Sequence, residues 1–281
     1  MIKLYTFILA LVITISSCEL LENVDTGELT KEEVVEGLKT ALKVGTDSST
    51  TILSQPNAYY NSLLLRIPLP PDVEKVRNTI NNTSALDQIF NNDIINLDSK
   101  FEDLVLSLNK AAGNAAREAS PIFKTAITDL TIDQAWDILN GKNPSSTTKS
   151  MQETFDSTAA TNYFINKTST ALTDLYGPKI NNVLDKPLGS NTSTLELWSD
   201  IVTKYNDGLD IINSNFITSG LDEQYNLPSS LNADLGAFCT EKALDGLFLK
   251  VGETEKNIRQ DPWEWAMTAV GDILEKVFGE N

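Results

Sequence analysis

The sequence of 281 residues contains no histidine. Histidine is the side chain that changes charge closest to neutral pH, a common general base and a common zinc ligand. Its absence excludes catalytic arrangements of the Ser-His-Asp and Cys-His types. The sequence also lacks a glycine-rich phosphate loop, an EF-hand loop and a pair of cysteine ligands. We therefore predict no catalytic residue, no metal site and no cofactor.

Cysteine is almost as scarce, since the chain has only Cys18 and Cys239. If Cys18 is consumed by processing, Cys239 has no partner within the chain and the mature protein has no disulfide. Cys239 lies in the apolar run 235–248. This position predicts a small buried side chain rather than a nucleophile.

Basic residues are fewer than acidic ones. The chain has 22 lysines and arginines and 39 aspartates and glutamates, which gives a net charge of -17. Such a chain repels nucleic acid backbones and anionic lipid surfaces. We predict no nucleic acid partner. Hydrophobic residues make up 41% of the chain, which is enough for a sizeable core. One domain with an N-terminal extension is the organisation that we expect.

The apolar run near the N-terminus, residues 7–15, is too short to span a bilayer and follows Lys3. A short positive region before a short apolar run is typical of a secretory signal. The run ends in Ile15, Ser16, Ser17 and Cys18, which resembles the lipobox of bacterial lipoproteins. In such proteins the cysteine thiol receives a lipid and the signal is removed just before it.

We therefore predict a lipoprotein signal peptide over residues 1–17, lipidation at Cys18 and a polar tether over residues 18–29. A plain secretory signal cut near Ser17 and an uncleaved anchor are the alternatives. Two or more acyl chains anchor a protein stably, so the membrane is an expected partner. Glu19 stands where aspartate favours inner-membrane retention, and this favours the periplasmic side of the outer membrane.

Residues 30–281 are predicted to form an all-α domain, a single irregular multi-helix bundle with an extended proline-rich strap and long polar loops. Its centre is a helix that stops near Ser120, before Pro121. Apolar side chains recur on one face of this helix at the spacing of a buried stripe. They are Phe101, Leu104, Val105, Leu108, Ala111, Ala112, Ala115, Ala116 and Ala119.

The strap is residues 66–71, in which three prolines exclude the interior of a helix. Alternating Ile67 and Leu69 predict that it packs across the helices, and a docking ligand for an aromatic groove is the alternative. Elsewhere we expect the first helix to end at Gly45, before a surface loop over residues 46–51. A second helix break is expected at Gly177 and Pro178.

Polar residues without clear periodicity predict an exposed insertion over residues 142–153 and a long excursion over residues 207–231. Asp261, Pro262 and Glu264 fit an N-cap, a first-turn proline and a capping glutamate. They precede a last predicted helix that carries Ala266, Ala269, Val270, Ile273, Leu274, Val277 and Phe278. The acidic pair Glu253 and Glu255 is interpreted as part of a solvated face.

Several charged or amide side chains interrupt apolar runs or lie beside prolines and form a candidate polar cluster. A buried charge must be paired, so one network would satisfy the charged ones together. The network either fixes helix register or forms the polar floor of a ligand pocket. The residues are Arg66, Asn109, Glu118, Glu241, Lys242, Asp245 and Arg259.

Short segments of the sequence together resemble the bacterial domain of unknown function 4197. They are residues 66–70 (RIPLP), 107–112 (SLNKAA), 121–123 (PIF), 156–164 (DSTAATNYF), 167–168 (KT), 240–248 (TEKALDGLF) and 258–262 (IRQDP). The resemblance spans about residues 30–279. It implies a secreted, often lipid-anchored helical protein and brings no established enzyme activity. The insertions near residues 142–153 and 206–232 depart from it.

The expected function is a non-catalytic binding or interaction module in the cell envelope, whose partner is an envelope protein or a small ligand. A structural envelope component without a ligand is the first alternative. The second is a hydrolase that uses Glu118 and Glu241 as acid and base, which requires both carboxyl groups to face one open cleft.

Overall fold

The computed structural model describes residues 31–144, 155–187 and 191–261. These residues fold as helices and contain no β-strand. In chain order the helices are α1 Lys31–Leu53, α2 Pro71–Asn81, α3 Ser84–Phe90, α4 Leu97–Ala116, α5 Ser120–Thr128, α6 Ile132–Leu139, α7 Ala159–Leu184, α8 Thr194–Ser214, α9 Leu221–Gln224 and α10 Leu235–Gln260. The prediction of an all-α, irregular multi-helix bundle is confirmed.

Helix α4 is central, as its apolar stripe predicts. All nine residues of that stripe are at most 2% exposed. The helix packs against α1, α7, α8 and α10. Its alanine-rich end lets Leu53 of α1 approach closely, since a methyl group on Gly113 would lie 3.4 Å from the Leu53 carbonyl oxygen. The turn Arg117–Ala119 then separates α4 from α5, in whose first turn Pro121 lies.

The proline-rich strap is extended and buried against the helices. Ile67 and Leu69 are each 1% exposed. The side chain of Asn109 holds the strap at its middle, because Oδ1 accepts a hydrogen bond from the Ile67 amide at 2.9 Å. Its Nδ2 donates to the Ile67 carbonyl at 2.8 Å. The buried-strap interpretation is confirmed, and Asn109 supplies the two hydrogen bonds that this extended backbone would otherwise lack.

The predicted end of the first helix at Gly45 is wrong, because α1 continues to Leu53. Residues 46–51 are helical rather than a surface loop, and Thr46, Ser49 and Thr50 are at most 3% exposed. Gly45 is a packing position, since a methyl group there would lie 3.0 Å from Cδ1 of Ile258 on α10. The hydroxyls of Thr46 and Ser49 donate to carbonyls of their own helix, which lets polar residues enter the core.

The predicted break at Gly177 and Pro178 is also wrong, because α7 runs through both residues. Pro178 is exposed, so the carbonyl of Asp174 that loses its helical hydrogen bond can bond water. Tyr176 and Ile180 on either side are fully buried and hold the helix in place. The long excursion predicted from residue 207 begins only after Ser214, where α8 ends.

Some predictions fall outside the described residues. These are the signal peptide and tether, most of the insertion over residues 142–153, and the last helix over residues 262–278. Within the described residues, no helix is both long enough and apolar enough to cross a membrane.

Candidate functional site: a groove between two antiparallel helices

Helices α7 and α10 lie antiparallel and close together. A methyl group on Gly252 would lie 3.6 Å from Cγ2 of Thr161, near the start of α7. At the other end, a methyl group on Gly236 would lie 3.0 Å from Cγ of Asn181. Small residues on α10 therefore face α7 at both ends of their contact, which permits close helix packing.

A groove of about 900 Å³ runs along the outer side of this helix pair. Its walls extend from Thr158 to Asn181 on one side and from Asp234 to Lys256 on the other. At 1.5 Å per helical residue these spans correspond to about 33 Å. Ile165 and Leu249 are 37% and 41% exposed in the walls. On α7 the groove is lined in part by Gly177 and by the small side chains of Ser169 and Thr173, which leave space between the helices.

Thr240 lines this groove and is only 4% exposed, and its buried hydroxyl has no hydrogen-bond partner in the described protein. Two other buried threonines in the helices bond a carbonyl four residues earlier. Thr168 donates to Phe164 at 2.7 Å, and Thr254 donates to Lys250 at 2.9 Å. A buried polar atom without a partner costs about 1–3 kcal/mol, so the Thr240 hydroxyl is an unusual feature next to the groove.

Charged residues stand along the α10 side of the groove. Lys242 donates to Glu241 and to Asp245, each at 2.9 Å, and these hydrogen bonds raise the pKa of the lysine. Asp234 caps α10 by accepting from the Ala237 amide at 2.9 Å. Among the described residues that line the groove, Lys256 is the only lysine or arginine. The groove is therefore mainly apolar inside and acidic along much of its rim, and Lys256 lines one end together with Glu253.

The predicted polar cluster is not one network. Among the seven predicted residues, all of which the structure describes, hydrogen bonds and ion pairs join only three members to one another: Lys242 bonds both Glu241 and Asp245. Arg66 pairs with Glu102 at 3.2 Å and lies over the ring of Tyr60. The remaining predicted residues lie at three other places, because their partners are supplied by different helices.

One of those places holds Glu118, which was predicted to act with Glu241 as acid and base. Glu118 pairs with Lys179 of α7 at 3.4 Å, and both side chains are about half exposed. Glu241 lines the groove and Glu118 does not. The two carboxyl groups therefore do not share this cleft, and the arrangement that a carboxylate hydrolase would need is missing from it.

Arg259 belongs to a buried corner where α10 meets the start of α7. Its guanidinium pairs with Glu255 at 2.8 Å and donates to the carbonyl of Ile138, also at 2.8 Å. The other oxygens of this corner are equally occupied, since the Glu255 carboxylate accepts from the amides of Ala160 and Thr161 at 3.0 and 2.8 Å. A carboxylate at the first turn of α7 satisfies amides that lack partners within that helix.

Sequence reasoning missed both Glu255 and Thr240. Glu255 is 6% exposed, so its interpretation as part of a solvated face is wrong. Its position on the buried stripe of α10 with Val251 and Ile258 was the available signal. Thr240 had no such signal, because neither its burial nor its missing partner can be read from neighbouring residues.

Cys239 is buried and unpaired, as predicted. Its thiol donates to the Leu108 carbonyl at 3.4 Å. Burial raises the pKa of this thiol to about 12, so it stays protonated near neutral pH and is a poor nucleophile. No group of three or more Asp, Glu or Cys side chains that could hold a metal ion occurs in the described ranges.

Comparison with known families identifies the class of protein. The model of the family described as "Protein of unknown function (DUF4197)" matches residues 28–279. The chain therefore belongs to that family, as its short segments predict. A search of curated proteins and a search of solved structures each found no match to this chain.

Proposed function

We propose that the protein is a binding module that holds an elongated, mainly apolar ligand in the groove between α7 and α10. The unpartnered hydroxyl of Thr240 carries this proposal. A groove of about 900 Å³ with apolar walls and a few polar groups has the size and character of a small-molecule site. The ligand would carry a polar group that bonds Thr240, next to a chain that contacts Leu249 and Ile165.

The charge of the groove limits the ligand further. Glu241 and Asp245 on the rim disfavour an anionic group in the middle of the groove. Lys256, Thr158 and Asn162 favour a polar group at their end of the groove, which Glu253 also lines. An amphiphile with a terminal polar head at Lys256 and a second hydrogen-bonding group near Thr240 fits both conditions.

We place this activity in the cell envelope. The support is the lipobox-like sequence before Cys18, which predicts a lipid anchor on the outer membrane facing the periplasm. An exposed groove on a tethered acidic domain would reach ligands near the membrane without adsorbing to its anionic surface.

The test is photocrosslinking of the full-length protein in producing cells. A benzophenone side chain replaces Leu249 in the groove or, as the control, Leu63, which is 96% exposed and does not line the groove. We expect a small-molecule adduct at position 249 and not at 63, detected by mass spectrometry of the crosslinked peptide. No adduct at 249, or the same adducts at both positions, contradicts the proposal.

The role of Thr240 is tested in the same cells with Thr240→Val, which keeps the shape of the side chain and removes its hydroxyl. The loss of one hydrogen bond weakens binding by about three- to tenfold, so the adduct at position 249 should fall accordingly. Thr254→Val is the matched control, because Thr254 is equally buried on the same helix and does not line the groove. An unchanged adduct in Thr240→Val would remove this residue from the site.

A further inference from the structure

We propose that the ligand of the groove is a cationic amphiphile, an aliphatic chain with a protonated amine, and that the amine lies beside Glu241 and Asp245. This inference rests on the proposed function. It gives a positive charge to the group that the proposed function places near Thr240, and it places the aliphatic chain on the surface at Leu249.

The half of the groove that begins at the start of α10 carries an excess of negative charge. We call it the acidic half and define it by Asp234, Glu241 and Asp245, which line the groove and are exposed. Spacings of seven and four residues place the three on one side of α10 over about 17 Å. Lys242 bonds both Glu241 and Asp245, so one ammonium is shared by two carboxylates.

No described positive charge lies close enough to balance the rest. Asp234 forms no ion pair with a described residue, and its carboxylate accepts from the Ala237 amide. Lys256 lies eleven residues beyond Asp245, or about 17 Å along α10, whereas charges are screened over about 8 Å at physiological salt. The facing wall of α7 is uncharged in this half, where it consists of Ser169, Thr173, Gly177 and Asn181.

The helix dipoles do not reverse this charge. The start of α10 lies beside the end of α7, where a methyl group on Gly236 would meet Asn181. The positive end of one helix dipole and the negative end of the other therefore offset each other. The side chains decide the sign of the potential, and it favours a cation in the acidic half.

An apolar surface begins one helical turn beyond the last of these carboxylates. Leu249 follows Asp245 by four residues, and Ile165 lines the same groove on α7. Both apolar side chains are exposed. An amine beside Asp245 can therefore continue directly into an aliphatic chain over Leu249. Apolar contact would supply the affinity, and the carboxylates would supply the preference for a positive charge.

Charge complementarity favours this occupant over two others. An anionic amphiphile would place its head group among carboxylates that repel it. A second copy of the chain would bring a second acidic half against the first, because a two-fold symmetric contact uses the same surface of both copies. A basic amphipathic helix of another protein also has the complementary charge, and the experiment separates it from an amine.

The test is titration calorimetry of the full-length protein with decylamine, decanol and decanoate below the concentrations at which they form micelles. Cys18→Ser keeps the protein free of a lipid that would itself bind the probes. Near pH 7 an alkylamine is protonated, as lysine is. We expect decylamine to bind at least about fivefold more tightly than decanol, and decanoate to bind more weakly than decanol. The preference for the amine should shrink at high salt.

Variants of the acidic half show whether these carboxylates cause the preference. Glu241→Gln combined with Asp245→Asn leaves Lys242 without its two partners and should weaken decylamine about tenfold while decanol is unchanged. Glu223→Gln combined with Asp210→Asn is the matched control, because it removes the same charge at exposed positions outside the groove. It should change decylamine binding less than about twofold. Equal losses in the two double variants overturn the inference.

Leu249→Gln locates the aliphatic chain and should weaken decylamine and decanol alike by several-fold. Unchanged binding in this variant places the probes elsewhere and overturns the inference. An amphipathic peptide of leucine and lysine stands for a partner helix. If it binds more tightly than decylamine and loses this in the variant of Glu241 and Asp245, the groove belongs to a basic helix and not to an amine.

Failure of this inference is distinguishable from failure of the proposed function. If decanol or decanoate binds as tightly as decylamine and depends on Leu249, the groove holds an apolar ligand and the positive charge is wrong. If none of the three probes binds, the cationic amphiphile is rejected. The photocrosslinked adduct at position 249 then decides the proposed function separately, because its formation does not depend on the charge of the ligand.

Discussion

Helix α10 meets α7 in two ways that differ in how buried polar atoms are paired. At the Glu255 corner, defined by Glu255, Arg259, Thr161 and the first amides of α7, each carboxylate oxygen accepts at least two hydrogen bonds. Four turns earlier on the same helix, Thr240 is just as buried and its hydroxyl has no partner in the described protein. The two sites share a helix, a neighbour and a degree of burial.

The difference indicates different roles. A satisfied buried network fixes how two helices meet, because any other arrangement leaves charges unpaired. An unsatisfied hydroxyl contributes nothing to that fit and lowers stability unless something else bonds it. We therefore interpret the Glu255 corner as the structural joint of α7 and α10, and the groove around Thr240 as the surface available for binding.

The largest expected effect comes from breaking the Glu255 corner. Glu255→Ala leaves Arg259, itself 11% exposed in its side chain, without its carboxylate and uncovers the amides of α7. Removal of one partner of a buried ion pair costs about 3–5 kcal/mol of unfolding free energy. Chemical denaturation measures this loss. Glu253→Ala, two residues earlier and 40% exposed in its side chain, should cost at most about 1 kcal/mol. Similar losses in both variants would show that the corner is not the joint.

The strap offers a second satisfied site for comparison with the groove. Asn109→Leu leaves the amide and carbonyl of Ile67 buried without partners. At about 1–3 kcal/mol for each such group, we expect unfolding free energy to fall by roughly 2–5 kcal/mol. Asn78→Leu, at an exposed position of α2, is the control and should change stability by at most about 0.5 kcal/mol. A small effect of Asn109→Leu would mean that the strap is held by its apolar side chains alone.

The two threonines of α10 give the most direct test. Thr254 donates to Lys250 and accepts from Ser49, so Thr254→Val should cost about 1–2 kcal/mol. Thr240→Val removes an unpaired hydroxyl and should be neutral or stabilising within about 1 kcal/mol. Thermal denaturation of ligand-free protein compares the pair. A loss of stability in Thr240→Val as large as in Thr254→Val would mean that its hydroxyl is bonded in solution.

The smallest effect is expected at the ion pair of Arg77 and Asp98, which is more exposed than the Glu255 corner and so shows what that corner gains from burial. Hydrogen bonds from Arg77 and Asn81 lower the pKa of Asp98. Because the folded pKa lies below the ordinary value of about 3.9, the pair stabilises the fold above that value and loses its effect as pH falls through the folded pKa. The Tm difference between wild type and Asp98→Asn should therefore shrink between about pH 6 and about pH 3. A difference that is constant or grows in acid contradicts this assignment. Asp103→Asn, exposed on α4, should show no such trend.

Sequence periodicity predicted the elements whose burial follows a local pattern. The spacing of the apolar stripe predicted the buried face of α4, and the alternation of Ile67 and Leu69 predicted that the strap is buried. Both predictions were confirmed. The errors at Gly45 and Pro178 have one cause. Each residue lowers helix propensity locally, but the helix on both sides of it packs against the core, and tertiary packing outweighs propensity.

The candidate site was less predictable than the fold. The prediction of one network among Arg66, Glu118 and Arg259 assumed that charges in apolar runs find each other. The bundle instead gave each charge a different partner: Glu102, Lys179 and Glu255. Glu241, Lys242 and Asp245 were correctly joined because they lie within one turn of a single helix.

The sequence by itself determined the helical class, the central helix, the strap and membership of the family, because these depend on spacing and on short segments within one stretch of chain. The tertiary structure alone decided that Glu255 closes a joint while Thr240 lines a groove with its hydroxyl unpaired. Whether a polar atom is paired depends on which distant helix lies against it, and residues nearly a hundred positions apart are brought together only by the packing of the whole core.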